Sequence, residues 1–424
     1  MSYSQIYVHG SKIKPKIFPN KTVVSPEDLD RVSRVTLGFT RPNEKGYELG
    51  RDNELYREWK NTEVSGAIVM NEYGNIKPFA LFANQDPDVA TEISLEDIKD
   101  EKFDFVTMMK DNAGAGTIVT QYCPGCYINS FTMNVGDPES KLENTWNFVG
   151  DKHLTLKGNE KYVIVYEHTL SSGEASAKQF SISTDYPAPT ENPDSSDIYL
   201  LKAVQIVGTT ETELTESTST PSAANEIQRS ASKTIKIYNA LSSGNKIVLH
   251  YTAATDSTPN QWQALDSISA NYIKAEFCEV YLYDGATPVG RIYRLQSASI
   301  AGTIERTNYG ELGNSEYIVR SADTVNVVVT LGDLVSDASL DEYLRNKTAN
   351  GTYTRIDVEK YLETLDFVIK IYAEKEHTTF LANYLVRNIK VTGGSQEDAA
   401  NAALTSGRTL ESDNMIYSTV EYVS

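Results

Sequence analysis

Cys123-Pro-Gly-Cys126 is the stretch of this 424-residue chain whose residue types and spacing point most directly at reactive chemistry. Two thiols two residues apart suit a redox dithiol or half of a zinc site, since both need thiolates held side by side. A redox pair also needs a strand-to-helix junction whose dipole stabilises the thiolate, and zinc needs further ligands. Here strand-like sequence flanks a Pro-Gly turn, and the third cysteine, Cys278, is far away in sequence. The five histidines, His9, His153, His168, His250 and His377, are scattered without His-x-x-x-His spacing, and no Gly-x-Ser-x-Gly elbow or phosphate loop is present. The acidic run NPDSSD at 192–197 lacks the alternating ligands and terminal Glu of a calcium loop. The expectation is a chain with no catalytic, cofactor or metal site, and not an enzyme.

Composition narrows the class. Lys and Arg number 39 against 58 Asp and Glu, a net charge of −19, which argues against nucleic acid held in a basic groove. Passage of nucleic acid without capture is not excluded. Apolar residues at 40% and charged residues at 23% are those of a folded chain, and 26 Tyr with abundant Thr, Val and Ile favour strands. No apolar run approaches the ~18 residues of a membrane span. The opening residues carry no apolar leader, and three cysteines make no disulfide framework, so synthesis in a reducing cytoplasm is expected.

The elements follow from period and punctuation. Residues 1–27, with Lys12, Lys14, Lys16, Lys21 and two prolines, predict an extended basic arm. RVSRVTLGFT from Arg31 and TEVSGAIVMNEY from Thr62 alternate as strands. Residues 94–110 predict a helix, with Ser94 as N-cap and Glu96 and Asp97 in the first turn. IVTQY, CYINSFTMNV and NTWNFVG then predict an antiparallel sheet with Pro-Gly and Gly-Asp-Pro turns. Residues 170–235 are rich in Ser, Thr, Glu and Pro and predict long exposed loops around strands such as IYLLKAVQIVG. KTIKIYN, KIVLHYTA and AEFCEVYLYDG resume the β pattern.

The last third repeats the first. Arg41, Asn43, Glu48-Leu49-Gly50, Glu54, Tyr56 and Arg57 recur in order as Arg306, Asn308, Glu311-Leu312-Gly313, Glu316, Tyr317 and Arg320. A strand precedes each copy (SRVTLGF and SASIAGTI) and a longer β stretch follows (TEVSGAIVMNEY and TVNVVVTLGDL). SLEDIKDEK from Ser94 then faces SLDEYLRNK from Ser339, and Phe131 and Met133 match Ile389 and Val391 on one strand face. The domains drawn are an arm at 1–27, a first copy at 28–170, a β-rich middle at 171–289 and a second copy at 290–424.

That order of elements, with GCYINSFTMNVGDPESKLENTWNFVGDK from Gly125, resembles the major tail tube proteins of tailed bacteriophages. The matching strands here are Ile128 to Val135 and Trp146 to Gly150. The resemblance covers most of 28–170 and more weakly 290–424, where NAALTSGRTLESDN replaces the Phe-Val-Gly stretch. It implies a mainly β (α+β) fold of two tandem tube-like sandwich or half-barrel domains, each with a flanking helix, in a structural virion protein. Family members form rings of six tube folds whose inner strands make one continuous β-barrel, and the rings stack into a tail. Two copies per chain then imply a homotrimer with pseudo-sixfold symmetry. Its partners would be the tape measure, the terminator and the tip or baseplate, with no membrane. DNA would pass through the lumen during ejection without specific binding.

With about four lumen strands per fold, ~24 strands at ~4.8 Å spacing and ~40° tilt give a diameter of about 48 Å, roughly 40 Å clear of side chains. A duplex about 20 Å wide passes, and carboxylates on such a lumen would repel phosphate. The arm, or the loop from Thr40 to Lys60, is expected to reach the adjacent ring, with the Ser/Thr-rich middle as outer decoration. The alternatives are another tail ring component, such as a terminator or baseplate hub, and a virion-borne carbohydrate-binding β-sandwich.

Overall fold

The computed structural model describes residues 8–9, 15–20, 26–41, 43–46, 56–59, 63–111, 117–150, 152–190, 200–208, 210–217, 220–231, 233–239, 242–258, 261–262, 272–285, 287–292, 295–310, 317–334, 339–346, 365–397 and 405–422. The fold is mainly β and divides into two units. The first unit comprises 1–28, 104–123 and 153–268; the second comprises 29–103, 124–152 and 269–424. Among the described residues no helix is long and apolar enough to cross a membrane.

The second unit is built on one antiparallel sheet of eight strands, to which the strand Thr117–Val135 contributes its part from residue 124 onward. In chain order these are β1 (Val32–Thr40), β2 (Glu63–Asn71), β3 (Thr117–Val135), β4 (Glu143–Gly150), β5 (Leu295–Gly310), β6 (Tyr317–Leu334), β7 (Phe380–Glu397) and β8 (Thr405–Ser412). Their order in the sheet is β1-β2-β4-β3-β5-β6-β8-β7. Alternation puts Ile68, Trp146, Phe131, Ile300, Val329 and Leu410 on the buried face and leaves Ser, Thr and Asn on the other. The first half of β7 leaves this sheet for a second one, in the order Glu92–Ser94, Met415–Ser418, β7, Leu365–Tyr372, Cys278–Asp284, Thr287–Arg291. Asn388, at φ 52°, makes the bend. In β3 the corresponding left-handed residue is Gly125 of the Cys-Pro-Gly-Cys stretch, at φ 63°.

The helices are shorter than the sequence suggests. Ser94 caps α2 (Leu95–Ile98) through a reciprocal bond with Asp97, as expected, but the helix stops there. Phe103–Asp111 is a strand rather than the continuation of a helix over 94–110, because Phe103 and Phe105 fall on one fully buried face at period two. The sequence reading missed α1 (Lys77–Phe82), whose residues Pro78 to Phe82 are all buried and so carry no amphipathic period. A third helix, α3 (Ser172–Ala177), is capped by Ser171 and Glu174 in a stretch read as exposed loop. The fourth, α4 (Ser339–Asn346), stands where the repeat of SLEDIKDEK predicts it.

The first unit holds the middle of the chain as its own sandwich. One four-stranded sheet runs Tyr162–Thr169, Lys246–Ala253, Leu200–Val207, Thr210–Glu213, and the other runs Gln179–Ser181, Thr234–Ile237, Glu226–Ala231, Thr215–Glu216. Ile164, Leu249 and Tyr251 of the first sheet share one core with Phe180, Ile227 and Ile235 of the second. The TTETELTE stretch, read as loop, supplies two of these strands, with Leu214 buried between them.

Pairing therefore moves the boundaries drawn at 170 and 289. Tyr162–Thr169 pairs along its length into the middle sandwich, and Cys278–Asp284 pairs with Leu365–Tyr372 of the second copy. The arm is also corrected in part. Lys16–Pro19 is a strand with Ile17 and Phe18 buried, and Lys16 forms an ion pair with Asp28 at 2.7 Å, because its apolar residues complete a core. Lys12, Lys14 and Lys21 lie outside the described residues.

Candidate assembly interface

The eight-stranded sheet is two blocks of four strands with the same internal order. β1-β2-β4-β3 from the first copy corresponds to β5-β6-β8-β7 from the second, each strand occupying the same place in its block. The stretch NAALTSGRTLESDN thus contains a full counterpart of the Phe-Val-Gly strand: β8 pairs with β6 on one side and β7 on the other, as β4 does with β2 and β3. The residue match of Phe131 with Ile389 shifts, however. Phe131 pairs with Trp146, whereas Ile389 pairs with Leu365 in the second sheet and Val391 is the residue opposite Leu410. Bulges between Ile128 and Ser130 and between Val391 and Gly393 displace the two strands along their length.

The blocks meet at a seam where β3 pairs antiparallel with β5, from Ser130 opposite Thr303 to Val135 opposite Ala298. Helix α2 lies over this seam, and Gly302 makes room for it: a Cβ there would collide with the side chain of Leu95. Arg306, from the repeated Arg-x-Asn motif, reaches across to donate to the carbonyls of Lys99 and Ile128, the latter at 2.8 Å. Its guanidinium stands 4.7 Å from the Tyr127 ring, and burial lowers its pKa to about 10, so it stays charged at neutral pH. Arg320, also from the motif, is 5% exposed and donates to Asn308 Oδ1 and to the carbonyl of Gly150 in the first copy.

Behind the seam the copies share a polar lock that sequence reasoning did not find. Glu72, 3% exposed, accepts through Oε2 from Asn144 and from the Tyr384 hydroxyl. Through Oε1 it accepts from the backbone N–H groups of Tyr73 and Gly74 at 2.9 and 2.7 Å and from the Tyr417 hydroxyl at 3.3 Å. Glu72 and Asn144 belong to the first copy, Tyr384 and Tyr417 to the second. Burial, reinforced by Glu72, holds both phenols well above the usual tyrosine range, so they remain protonated donors. Phe79 of α1 stacks on Tyr417 at 4.2 Å and meets Trp146 edge-on at 4.8 Å, which closes an aromatic core across the two copies. A lone Glu at the end of a strand carries no sequence signal for this role.

The outer edges of the sheet are β1 and the second half of β7, each paired on one side only among the described residues. These are the strand types that meet at the internal seam. Phe39 in β1 is 66% exposed, whereas Ile304, at the same place in β5, is 1% exposed beneath the seam; they pair with Val64 and Val325 respectively. The motif hairpin of the first copy continues as Asn43–Gly46 paired with Tyr56–Trp59.

The residues with reactive spacing are not brought into a site. Cys123 and Cys126 are buried, and burial beside Asp104 pushes the Cys123 thiol up to about 12, which keeps it protonated. Burial likewise raises the Cys278 thiol. His9 lies in a two-residue strand, His153 contacts Gln121, His168 pairs with Glu174 at 3.1 Å, and His377 stands 3.2 Å from Glu279. Burial lowers His250 to about 3, so it is neutral. Among the described residues no group of three or more His, Cys, Asp or Glu is placed to hold a metal, and the run 192–197 lies outside them.

No family model and no curated protein matches the sequence. Solved structures similar to part of the chain include a component of the anti-feeding prophage baseplate, solved by cryo-EM with 6-fold symmetrisation. It has 16% identity and a TM-score of 0.25 over 38% of this chain and 100% of that one. The tube-terminating cap of the anti-feeding prophage has 19% identity and a TM-score of 0.26 over 36% and 96%. A chain of the sheath-tube complex of an extracellular contractile injection system has 16% identity and a TM-score of 0.24 over 35% and 92%.

Proposed function

We propose that this chain is a structural, non-enzymatic subunit of a phage-tail tube, three copies of which close into a ring of six equivalent four-stranded blocks. One observation carries the reading: the chain already contains one junction between blocks, and its two outer edges, each paired on one side among the described residues, are the same strand types that form that junction. A β7 edge meeting the β1 edge of another copy repeats the internal step head to tail, and a head-to-tail contact that closes produces a ring. Closure also removes the exposed sheet edges and covers Phe39 as Ile304 is covered. Three chains supply ~24 strands, the number from which a conduit wide enough for duplex DNA follows. The middle sandwich has its own core and serves as decoration. The hairpin Asn43–Gly46 with Tyr56–Trp59 is the candidate contact between stacked rings. The virion localisation, assembly in the host cytoplasm and the tail partners belong to the same proposal.

Phe39→Asp tests the edge. The variant is expected to keep the wild-type thermal transition and circular dichroism while losing rings and tubes in negative stain. Tubes as abundant as those of the wild type would overturn the edge assignment.

A further inference from the structure

Alternation in the first sheet of the middle sandwich sends Ile164, Leu249 and Tyr251 into the sandwich core and turns Val165, Val248 and His250 the other way, toward the strand Lys16–Pro19. A cavity of about 340 Å3 lies there, within the first unit, with Phe18, Pro19, Pro26, Val165 and Val248 as its apolar lining. Its wall is tied down. Asp256 accepts from the backbone N–H groups of Ser257, Gln261 and Trp262 at 2.8, 3.1 and 2.9 Å. The Gln261 side chain accepts from the N–H of Val165 at 3.0 Å and donates to its carbonyl at 2.6 Å, which completes the outer edge of the strand Tyr162–Thr169. His250 lines the cavity, is 4% exposed and has its ring 5.5 Å from that of Phe18. Its Nδ1 is buried with no hydrogen-bond partner among the described residues. A polar atom so placed costs stability until something bonds to it.

The charges around the cavity already have partners. Lys16 pairs with Asp28 and Glu167 with Lys246, both at 2.7 Å, and Lys202, opposite His250 in the ladder, donates to Asn20. Burial, with Lys202 nearby, keeps the His250 ring neutral. We propose that this cavity takes a neutral, hydroxyl-rich ring, a hexopyranose unit, with its apolar face against Phe18, Val165 and Val248 and one hydroxyl on Nδ1 of His250. A hydroxyl both donates and accepts, so it serves whichever tautomer the imidazole holds. A carboxylate or phosphate only accepts and would share the cavity with the Glu167 carboxylate; an ammonium only donates and would share it with the Lys16 ammonium. The volume falls in the ~300–1,000 Å3 range of small-molecule sites, which combine an apolar lining with a few placed polar groups. The site lies inside one unit and goes beyond the tube reading, on which it does not rest.

The test is saturation-transfer NMR on the full chain with the methyl glycosides of glucose, galactose, mannose, N-acetylglucosamine and rhamnose, together with the imidazole 15N signals of histidine-labelled protein. At least one glycoside is expected to receive saturation and to move the His250 signal. That signal is assigned by its loss in His250→Phe or, should the variant not fold, as the imidazole that stays neutral to the lowest pH. His250→Phe keeps a ring beside Phe18 but has no nitrogen, and is expected to weaken the bound glycoside by about tenfold with its circular dichroism unchanged. Saturation of none of the five glycosides would overturn the proposal, as would saturation that leaves the His250 signal in place. Inorganic phosphate or sulfate moving that signal where the glycosides do not would show an anion site and overturn it as well. The active sugar, free and displayed on albumin, separates the two sources of such a ring. An equal response per sugar identifies a free small molecule, and preference for the displayed form identifies the terminal unit of a surface glycan.

Discussion

The two four-stranded blocks reach the same pairing order with different volumes at the same place. In the first block Gly66 stands opposite Phe148, whose ring occupies the space a Cβ at Gly66 would take. In the second block Val327 stands opposite Ser412. Bulk on one strand has been traded against bulk on its neighbour, and the buried face stays filled. The blocks differ as well in what lies on their flanks. The first block meets its neighbour through a built seam with Arg306 and the Glu72 lock, while the outer edge displays Phe39 to solvent. What duplication has preserved is the order of strands and the seam between blocks; the residues that fill each block have drifted as compensating pairs.

That comparison is broken or sharpened by substitution, read from urea unfolding followed by tryptophan fluorescence, with Trp146 in the core of the unit concerned. Phe148→Ser, which copies the second block's residue into the first, is expected to cost about 3–5 kcal/mol through the cavity it leaves. Gly66→Val alone is expected to cost about 1–3 kcal/mol by overpacking, and the double variant less than the sum by about 0.5–3 kcal/mol. Strict additivity would show that the two blocks do not use equivalent space. Glu72→Ala is expected to lose about 3 kcal/mol, because Asn144 and two buried phenols are left without their acceptor. Glu72→Gln, which keeps one carbonyl acceptor, loses less.

Much of this was legible in the sequence. The repeated Arg-x-Asn and Glu-Leu-Gly motif located both copies, and alternation located most strands of the eight-stranded sheet, since a half-buried strand writes its face at period two. The reading failed where burial removes periodicity, as in α1, and where a cap begins a helix that the following residues do not sustain, as after Ser94. It also failed at β8, whose polar, glycine-containing sequence takes its conformation from strands on both sides rather than from its own propensity. The assembly seam was half legible: Arg306 and Arg320 stood in the repeated motif, but nothing local marks Glu72, whose partners come from residues 144, 384 and 417.

Smaller effects separate the seam from the edge. Arg306→Ala is expected to destabilise the isolated chain by about 1–3 kcal/mol, since it strips a buried charge-assisted contact from two carbonyls. Arg41→Ala, the same motif position on the outer edge, is expected to cost the isolated chain less than Arg306→Ala, because Arg41 is exposed. Its effect should appear in assembly, as a higher protein concentration for half-maximal tube formation by light scattering. Equal losses of chain stability in the two variants would contradict the equivalence of seam and edge. Ser94→Ala removes a reciprocal cap from α2 and is expected to cost about 1 kcal/mol.

The central claim is that each chain contributes two blocks to a six-block ring, and mass photometry of the soluble rings combined with class averages of the tubes in cross-section tests it most directly. The account predicts particles with the mass of three 47.0 kDa chains and averages with six inner lobes. Rings with the mass of six chains, or averages with twelve inner lobes, would contradict it.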